Sequence, residues 1–285
     1  MVLPSHGSRT AKITAKALRI MCNAIAAACL ALPIMASTPD VHDVDIELVL
    51  AVDISGSMNK TEAELQRQGY VKALTNTAFL NAIADGQIGR IAIAYVEWAG
   101  ADQQWLTVPW SVIDSKASAL LFAEQLRRPR EVNQRGTSIS AAIDFAAGAI
   151  LGNGYQGHRM VIDISGDGPN NVGRPVLVAR ADAMGRGITV NGLPIINTDD
   201  SYFDGIDSYY SDCVVGGPGA FLLPARSNPE FAAAIRRKLI LEVVGSDEHN
   251  QKEDLKWQVT ASPGSDCLIG EKLRARYIGN IYPEL

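Results

Sequence analysis

The run Asp53-Ile54-Ser55-Gly56-Ser57 follows the apolar stretch Ile46 to Val52 and places a carboxylate and two hydroxyls at alternate positions. At the end of a strand, residues i, i+2 and i+4 lean to one side. A turn there would bring three oxygens to one point. Oxygen-only ligation suits a hard cation such as Mg²⁺, whereas hydroxyls are poor ligands for softer metals. Each of these residues also has a plainer use, as a turn or helix-cap residue. Acid–base catalysis has less to work with. Of the four histidines, His6, His42 and His249 lie outside the central region, and His158 begins a strand-like segment away from the run. The chain has no G-x-S-x-G, H-E-x-x-H or Walker A motif.

An apolar strand followed by Asp-x-Ser-x-Ser resembles the metal-ion-dependent adhesion site of von Willebrand factor A domains. That site also needs a Thr on a later loop and an Asp after a further apolar strand. Gly136-Thr137-Ser138 opens an apolar helical run, and Ser165-Gly166-Asp167-Gly168 ends the strand-like segment His158 to Ile164. The resemblance covers about Asp45 to Gly245. Ser-Gly-Asp-Gly-Pro-Asn-Asn at 165–171 and Gly-Gly-Pro-Gly-Ala-Phe at 216–221 resemble an exported bacterial branch of such domains.

The resemblance implies Mg²⁺, or Mn²⁺ or Ca²⁺, held directly by Ser55, Ser57 and Thr137. Asp53 and Asp167 would hold waters or orient the hydroxyls. Neutral ligands leave the cation most of its charge, and three of them leave coordination positions open. The N-terminus of the helix beginning near Thr137 favours an anion in the same place. The implied activity is capture of an Asp or Glu on another protein through the metal. Two alternatives stand beside it: a hydrolase using the metal to activate water, and a structural domain with a vestigial site.

The elements that must position these residues alternate. Ile46 to Val52, Gly89 to Trp98, His158 to Ile164 and Ile188 to Ile196 read as strands. Gln104 to Trp110 reads as another, in a hairpin across Gly100-Ala101-Asp102. One long helix is expected from Thr61 to Ala84, with others at Asp114–Arg128, Thr137–Leu151, Pro175–Arg186 and Asn228–Val243. Asn197 to Gly219 is expected to be a loop, and Ala220 to Leu223 a short strand. Strands alternating with helices predict an α/β, Rossmann-like, mostly parallel sheet covered on both faces; one antiparallel edge strand is the arrangement the resemblance implies. Asp163 is read as a buried structural acid, and Asn170 and Asn171 as the rim of the site. Asp199, Asp200, Asp204 and Asp207 read as a solvated acidic loop, and Trp98, Trp105 and Trp110 as core or edge packing.

The ends of the chain differ from this middle. Arg9, Lys12, Lys16 and Arg19 precede the apolar run Ile20 to Ala36, and no acid appears before Asp40. Residues 1–36 read as a secretory signal peptide cleaved near Ala36-Ser37, so the protein is expected to be periplasmic or extracellular. An uncleaved membrane anchor is the alternative. Residues 37–44 read as a linker, 45–245 as the domain, and 246–285 as a tail that partly packs on it. Residues 1–36 hold four of the 26 basic and none of the 31 acidic residues, so the remainder has 22 against 31, a net charge of −9. That excess of acid argues against nucleic acid or an anionic membrane as the main partner. Of four cysteines, Cys213 and Cys267 remain in a chain bound for an oxidising compartment. A disulfide between them and two free thiols are both open at this stage.

Overall fold

Alternation along the first strand divides the core in two. Strand β1 (His42–Asp53) sends Ile46, Leu48, Leu50 and Val52 into one apolar cluster and Val49 and Ala51 into another, as a side-chain period of two requires. The computed structural model describes residues 42–56, 60–127, 134–196, 203–225, 228–245 and 264–281. The segment read as a signal peptide lies outside them.

β1 sits at the centre of a five-stranded sheet in the order β3-β2-β1-β4-β5. Its neighbours β2 (Ile91–Trp98) and β4 (Tyr155–Gly166) run parallel to it, and β5 (Ile188–Pro194) runs parallel to β4. β3 (Gln104–Ile113) is antiparallel to β2. This is the expected mostly parallel sheet with one antiparallel edge. A central strand covered on both sides is apolar throughout, which is why Ile46 to Val52 carries no polar residue but Glu47.

Helices α1 (Lys60–Leu74), α2 (Thr77–Ala84), α3 (Lys116–Leu126) and α7 (Asn228–Val244) cover the Leu48 and Leu50 face, contributing Tyr70, Leu74, Phe79, Phe122 and Leu239. The other face is covered by α4 (Ile139–Leu151), α5 (Val176–Met184) and α6 (Ile206–Tyr209), the last running into a π-helical turn, Tyr210–Val214. Helix α8 (Ile269–Ile281) belongs to the tail.

Several boundaries differ from the sequence expectations. The helix expected over Thr61–Ala84 is two helices. Asn76 breaks it by accepting the Ala78 N–H at 2.9 Å and so capping α2, while the apolar stripe continues across the break. β4 starts at Tyr155 rather than His158, its polar end pairing with His42 to Val44. β1 therefore begins inside the segment read as a linker. The expected loop Asn197–Gly219 contains α6 and the π-helical turn. Ala220–Leu223 makes only an isolated bridge, Gly192 with Leu222, rather than a strand.

Asp163 is structural, as read. Lys238 of α7 places Nζ 3.1 Å from Asp163 Oδ1 and 2.6 Å from Glu242 Oε1, all three side chains buried. Asn191 donates to Glu242 Oε2 at 2.6 Å. Strand parity explains the assignment: Val161 and Asp163 face α7, while Ile162 and Ile164 face α4 and α5.

Candidate metal centre

Asp53 ends β1 on the face shared with Val49 and Ala51, and its side chain is completely buried. Oδ1 accepts the Ser55 N–H at 2.7 Å, so the chain turns around the carboxylate, and the Ser55 side chain bonds to it as well. Oδ2 has no hydrogen-bond partner. Burial, then the charge of Asp167, push the Asp53 carboxyl well above the usual carboxylate range. A buried acid therefore feels the like charge of a second, partly exposed one, and neither neutralises the other. A cation between them would remove that penalty.

Asp167 follows the last residue of β4, Gly166, and is partly exposed. Gly166 is where the two strand ends meet. A Cβ there would stand 2.9 Å from Asp53 Oδ2 and 3.3 Å from Asp53 Cβ. The glycine lets a buried carboxylate approach the backbone of the next strand.

The third piece comes from the loop before α4. Ser55 bridges to Gln134, and Ser138 N–H donates to the Ala99 carbonyl at 2.7 Å. Residues 134–138 are thus laid across the carboxyl ends of β1 and β2. Gly100 permits this, because a Cβ there would fall 2.6 Å from the Arg135 carbonyl oxygen. Ser138, not Thr137, caps α4, accepting the Ala141 N–H at 3.3 Å. Thr137 is buried one residue ahead of the cap and is fixed by Asn171. Its N–H donates to Asn171 Oδ1 at 2.9 Å, and the Asn171 N–H donates to its carbonyl at 2.8 Å. Asn170 accepts the Ser140 N–H at 3.0 Å. The asparagines read as the rim are the brackets that hold the Thr137 loop.

Ser57 lies outside the described residues. The helix after it is tied down by two buried bonds: Gln66 donates to Ser165 Oγ at 3.2 Å, and Arg67 pairs with Glu97 at 3.0 Å.

Two features around this site go beyond the sequence reading: the place of Tyr210, and where the tail, expected to pack partly on the domain, is seated. Tyr210, from the expected loop, is buried with an unpartnered hydroxyl. The tail helix α8 docks on the asparagine loop: Asn170 donates to Glu271 Oε1 at 2.7 Å, and Arg274 donates to Asn171 Oδ1 at 3.4 Å. Cys213 and Cys267 form a disulfide, with Cα atoms 5.5 Å apart, that clips the start of this tail to the π-helical turn. The apolar residues and cysteine of the tail point to its packing, but no signal short of the tertiary contacts marks its seat on the asparagine loop or the place of Tyr210.

Other candidates stand apart. Trp98, the register partner of Asp53, is fully buried, and Trp110 donates to the Ala149 carbonyl at 3.2 Å. Trp105 packs against Ile54, Ala63 and Ala99. Asp204 is exposed, and Asp207 accepts its neighbour's N–H; Asp199 and Asp200 lie outside the described residues. His158 Nδ1 is 4.0 Å from Asp45, which accepts the Ile88, Gly89 and Arg90 N–H groups at the opposite end of β1 from Asp53. Among the described residues, no three His, Cys, Asp or Glu side chains gather as a metal site. The residues that the strand ends and the 134–138 loop bring to this end of the sheet are instead two acids and the hydroxyl residues Ser55 and Thr137, groups of the kind a hard cation prefers.

Residues 43–247 match the model of a family described as protein of unknown function (DUF1194). No curated protein matches the chain. Among solved structures, the fold is similar to the pilus adhesin SpaC of Lactobacillus rhamnosus GG, at 15% identity and a TM-score of 0.52, covering 72% of this chain and 31% of that one. It is similar also to proximal thread matrix protein 1 of the mussel byssus, at 15% identity and 0.50, covering 71% and 49%. A further form of the mussel protein, at 14% identity and 0.50, is described with a zinc-occupied MIDAS motif and covers 71% and 48%. The chain thus spans half or less of these proteins. The likeness is one of fold, an open and mostly parallel α/β sheet with one antiparallel edge strand.

Proposed function

The chain belongs to the family described as protein of unknown function DUF1194, and from that premise we propose that it is an exported, metal-dependent protein-binding module that captures a partner's carboxylate through a divalent cation. The observation that carries the proposal is the unpartnered, buried Asp53 Oδ2 beside the charge of Asp167. A buried acid oxygen without a partner is costly, and a cation supplies what Asp53 Oδ2 lacks. Ser55, Ser57 and Thr137 would hold it through hydroxyls, with Asp53 and Asp167 acting through water. Bound there, Mg²⁺ or Mn²⁺ supplies a positive charge with a free coordination position. An Asp or Glu of another protein completes it.

The comparisons lend support at the level of fold, since one similar structure is a pilus adhesin and another carries a zinc-occupied MIDAS motif. Hydrolysis is the weaker reading because it needs a general base near the metal. The described histidines, His42 and His158, stand at the far end of the sheet from Asp53. Export rests on the signal-like residues 1–36; among the described residues, no helix is long and apolar enough to cross a membrane.

Calorimetric titration of the mature protein with MgCl₂ and MnCl₂ tests the proposal. Saturable binding that is lost in Asp53→Ala supports it, and equal behaviour of the two proteins overturns it. If metal binds, partners captured from the native compartment should be released by chelator. Turnover of generic phosphate or ester substrates that vanishes in Asp53→Ala would favour the hydrolase.

A further inference from the structure

Tyr210 opens the π-helical turn, is fully buried, and carries a hydroxyl with no hydrogen-bond partner. Its position is built. A Cβ on Gly166 would stand 2.7 Å from Tyr210 Oη and 2.9 Å from Asp53 Oδ2. Both unpartnered oxygens therefore border the same glycine, one residue before Asp167. The ring is cleared from below by a second glycine, since a Cβ on Gly192 would fall 2.9 Å from Tyr210 Cδ1. Neighbouring strands β4 and β5 thus each carry a glycine where this one side chain crosses them. The turn itself is pinned by the Val215 N–H to the Tyr210 carbonyl at 2.9 Å, by Tyr209 accepting the Asn170 N–H at 3.1 Å, and by the Cys213 disulfide.

A phenylalanine would fill this space equally well. A buried hydroxyl that finds no partner is a cost unless a bound state of the protein uses it. A phenol is protonated at neutral pH and can donate. The acceptor that borders the same glycine, Asp53 Oδ2, is also unpartnered. Groups that orient a metal's ligands through such bonds tune the metal as strongly as the ligands do.

Resting on the metal-site reading above, we propose that Tyr210 is a positioning residue of that site: when a cation is bound, its hydroxyl donates to Asp53 Oδ2 and fixes the carboxylate toward the metal. This role lies outside the five-residue motif.

The test is Tyr210→Phe, titrated with MgCl₂ and MnCl₂ and unfolded thermally in chelator. We expect cation affinity to fall about tenfold while the metal-free melting temperature stays level or rises, because the unpartnered hydroxyl is gone. Cation addition should also shift the tyrosine near-ultraviolet absorption of the unsubstituted protein, and that difference band should be missing from the variant. Unchanged affinity overturns the proposal, as does a lower metal-free melting temperature with affinity intact, which marks a packing role alone. Absence of binding by the unsubstituted protein overturns the metal site itself and this proposal with it. The control titration therefore separates the two failures.

Discussion

Thr137 and Asn171 hold each other by two hydrogen bonds, one through the Asn171 side chain at 2.9 Å and one between backbones at 2.8 Å. The same Asn171 Oδ1 lies 3.4 Å from Arg274 of the tail helix. One amide oxygen therefore fixes the loop that presents a candidate metal ligand and docks the tail on it. Asn171→Ala removes both side-chain bonds and leaves a buried N–H unsatisfied. We expect a loss of about 1–2 kcal/mol in denaturant unfolding and weaker Mg²⁺ binding by calorimetry. An unchanged affinity would show that Thr137 does not depend on this bracket.

Asp53→Asn separates charge from shape. The amide oxygen can still accept the Ser55 N–H that now bonds Oδ1, but the buried charge facing Asp167 is gone. The metal-free variant should be at least as stable as the natural protein, because the like charge facing Asp167 is removed while the buried polar atom stays in place. The natural protein should gain about 2.7 kcal/mol when the cation stands at 100 times its dissociation constant, and the variant should gain almost nothing. Thermal unfolding with and without MgCl₂ reads both effects. A variant less stable than the natural protein without metal would mean that the carboxylate has a protein partner.

Much of this arrangement is legible in the sequence because it sits at the ends of continuous apolar runs. Asp53 after Val52 and Asp167 after Ile164 mark where buried strands stop, and ligands gather at such carboxyl ends. Asp163 is likewise readable as structural, since it lies inside the strand. What escapes is set by tertiary contacts without a period. Tyr210 lies in a Tyr- and Asp-rich stretch with neither helical nor strand alternation, and it matters only because Gly166 and Gly192 make room for it. Lys238 looks like one more charge on an amphipathic helix until packing turns it onto Asp163. Asn76 splits a helix whose apolar stripe runs on without interruption. Arg274 and Glu271 are polar residues on a short tail helix, and only its docking reveals their partners.

The buried cluster of Lys238, Asp163 and Glu242 makes two further predictions. Lys238→Met leaves two acids in an apolar interior, and removal of one partner of a buried ion pair costs about 3–5 kcal/mol. Denaturant unfolding at neutral pH should show this, and adding Asp163→Asn should recover part of it. The second concerns pH. Burial raises Asp163 from 3.8 to about 6, with Lys238 opposing and Glu242 reinforcing the shift; Tyr70 is the other titratable side chain its charge bears on from the α1 side. The folded protein thus binds this proton more tightly than the unfolded chain. Its contribution is fully present below the unfolded value and is lost as pH rises through about 6. The loss is on the order of 3 kcal/mol. It should be absent from Asp163→Asn when stability is followed from pH 3.5 to 7.5, a range of about four pH units chosen to span both values.

The Cys213–Cys267 disulfide closes a loop with a sequence separation of 54. Chain entropy alone assigns such a cross-link about 4 kcal/mol against the unfolded state. Its local effect should be sharper than its global one. The bond joins the turn carrying Tyr210 to the segment leading into α8, which in turn touches Asn170 and Asn171. Gly270 packs so closely on the Asn170 carbonyl that a Cβ there would fall 2.1 Å from its oxygen, so α8 has one seating on the domain. Reduction should release α8 first, because its remaining ties are Ile269 against the core, the close seating of Gly270 and a few polar contacts with the asparagine loop. Hydrogen exchange on the reduced protein should therefore quicken in 269–281 and at Asn170 and Asn171 while β1 and β4 stay protected. Cys213→Ser/Cys267→Ser should behave alike. If α8 stays protected after reduction, the polar contacts with the asparagine loop are sufficient to hold the tail, and the disulfide acts only on the unfolded chain.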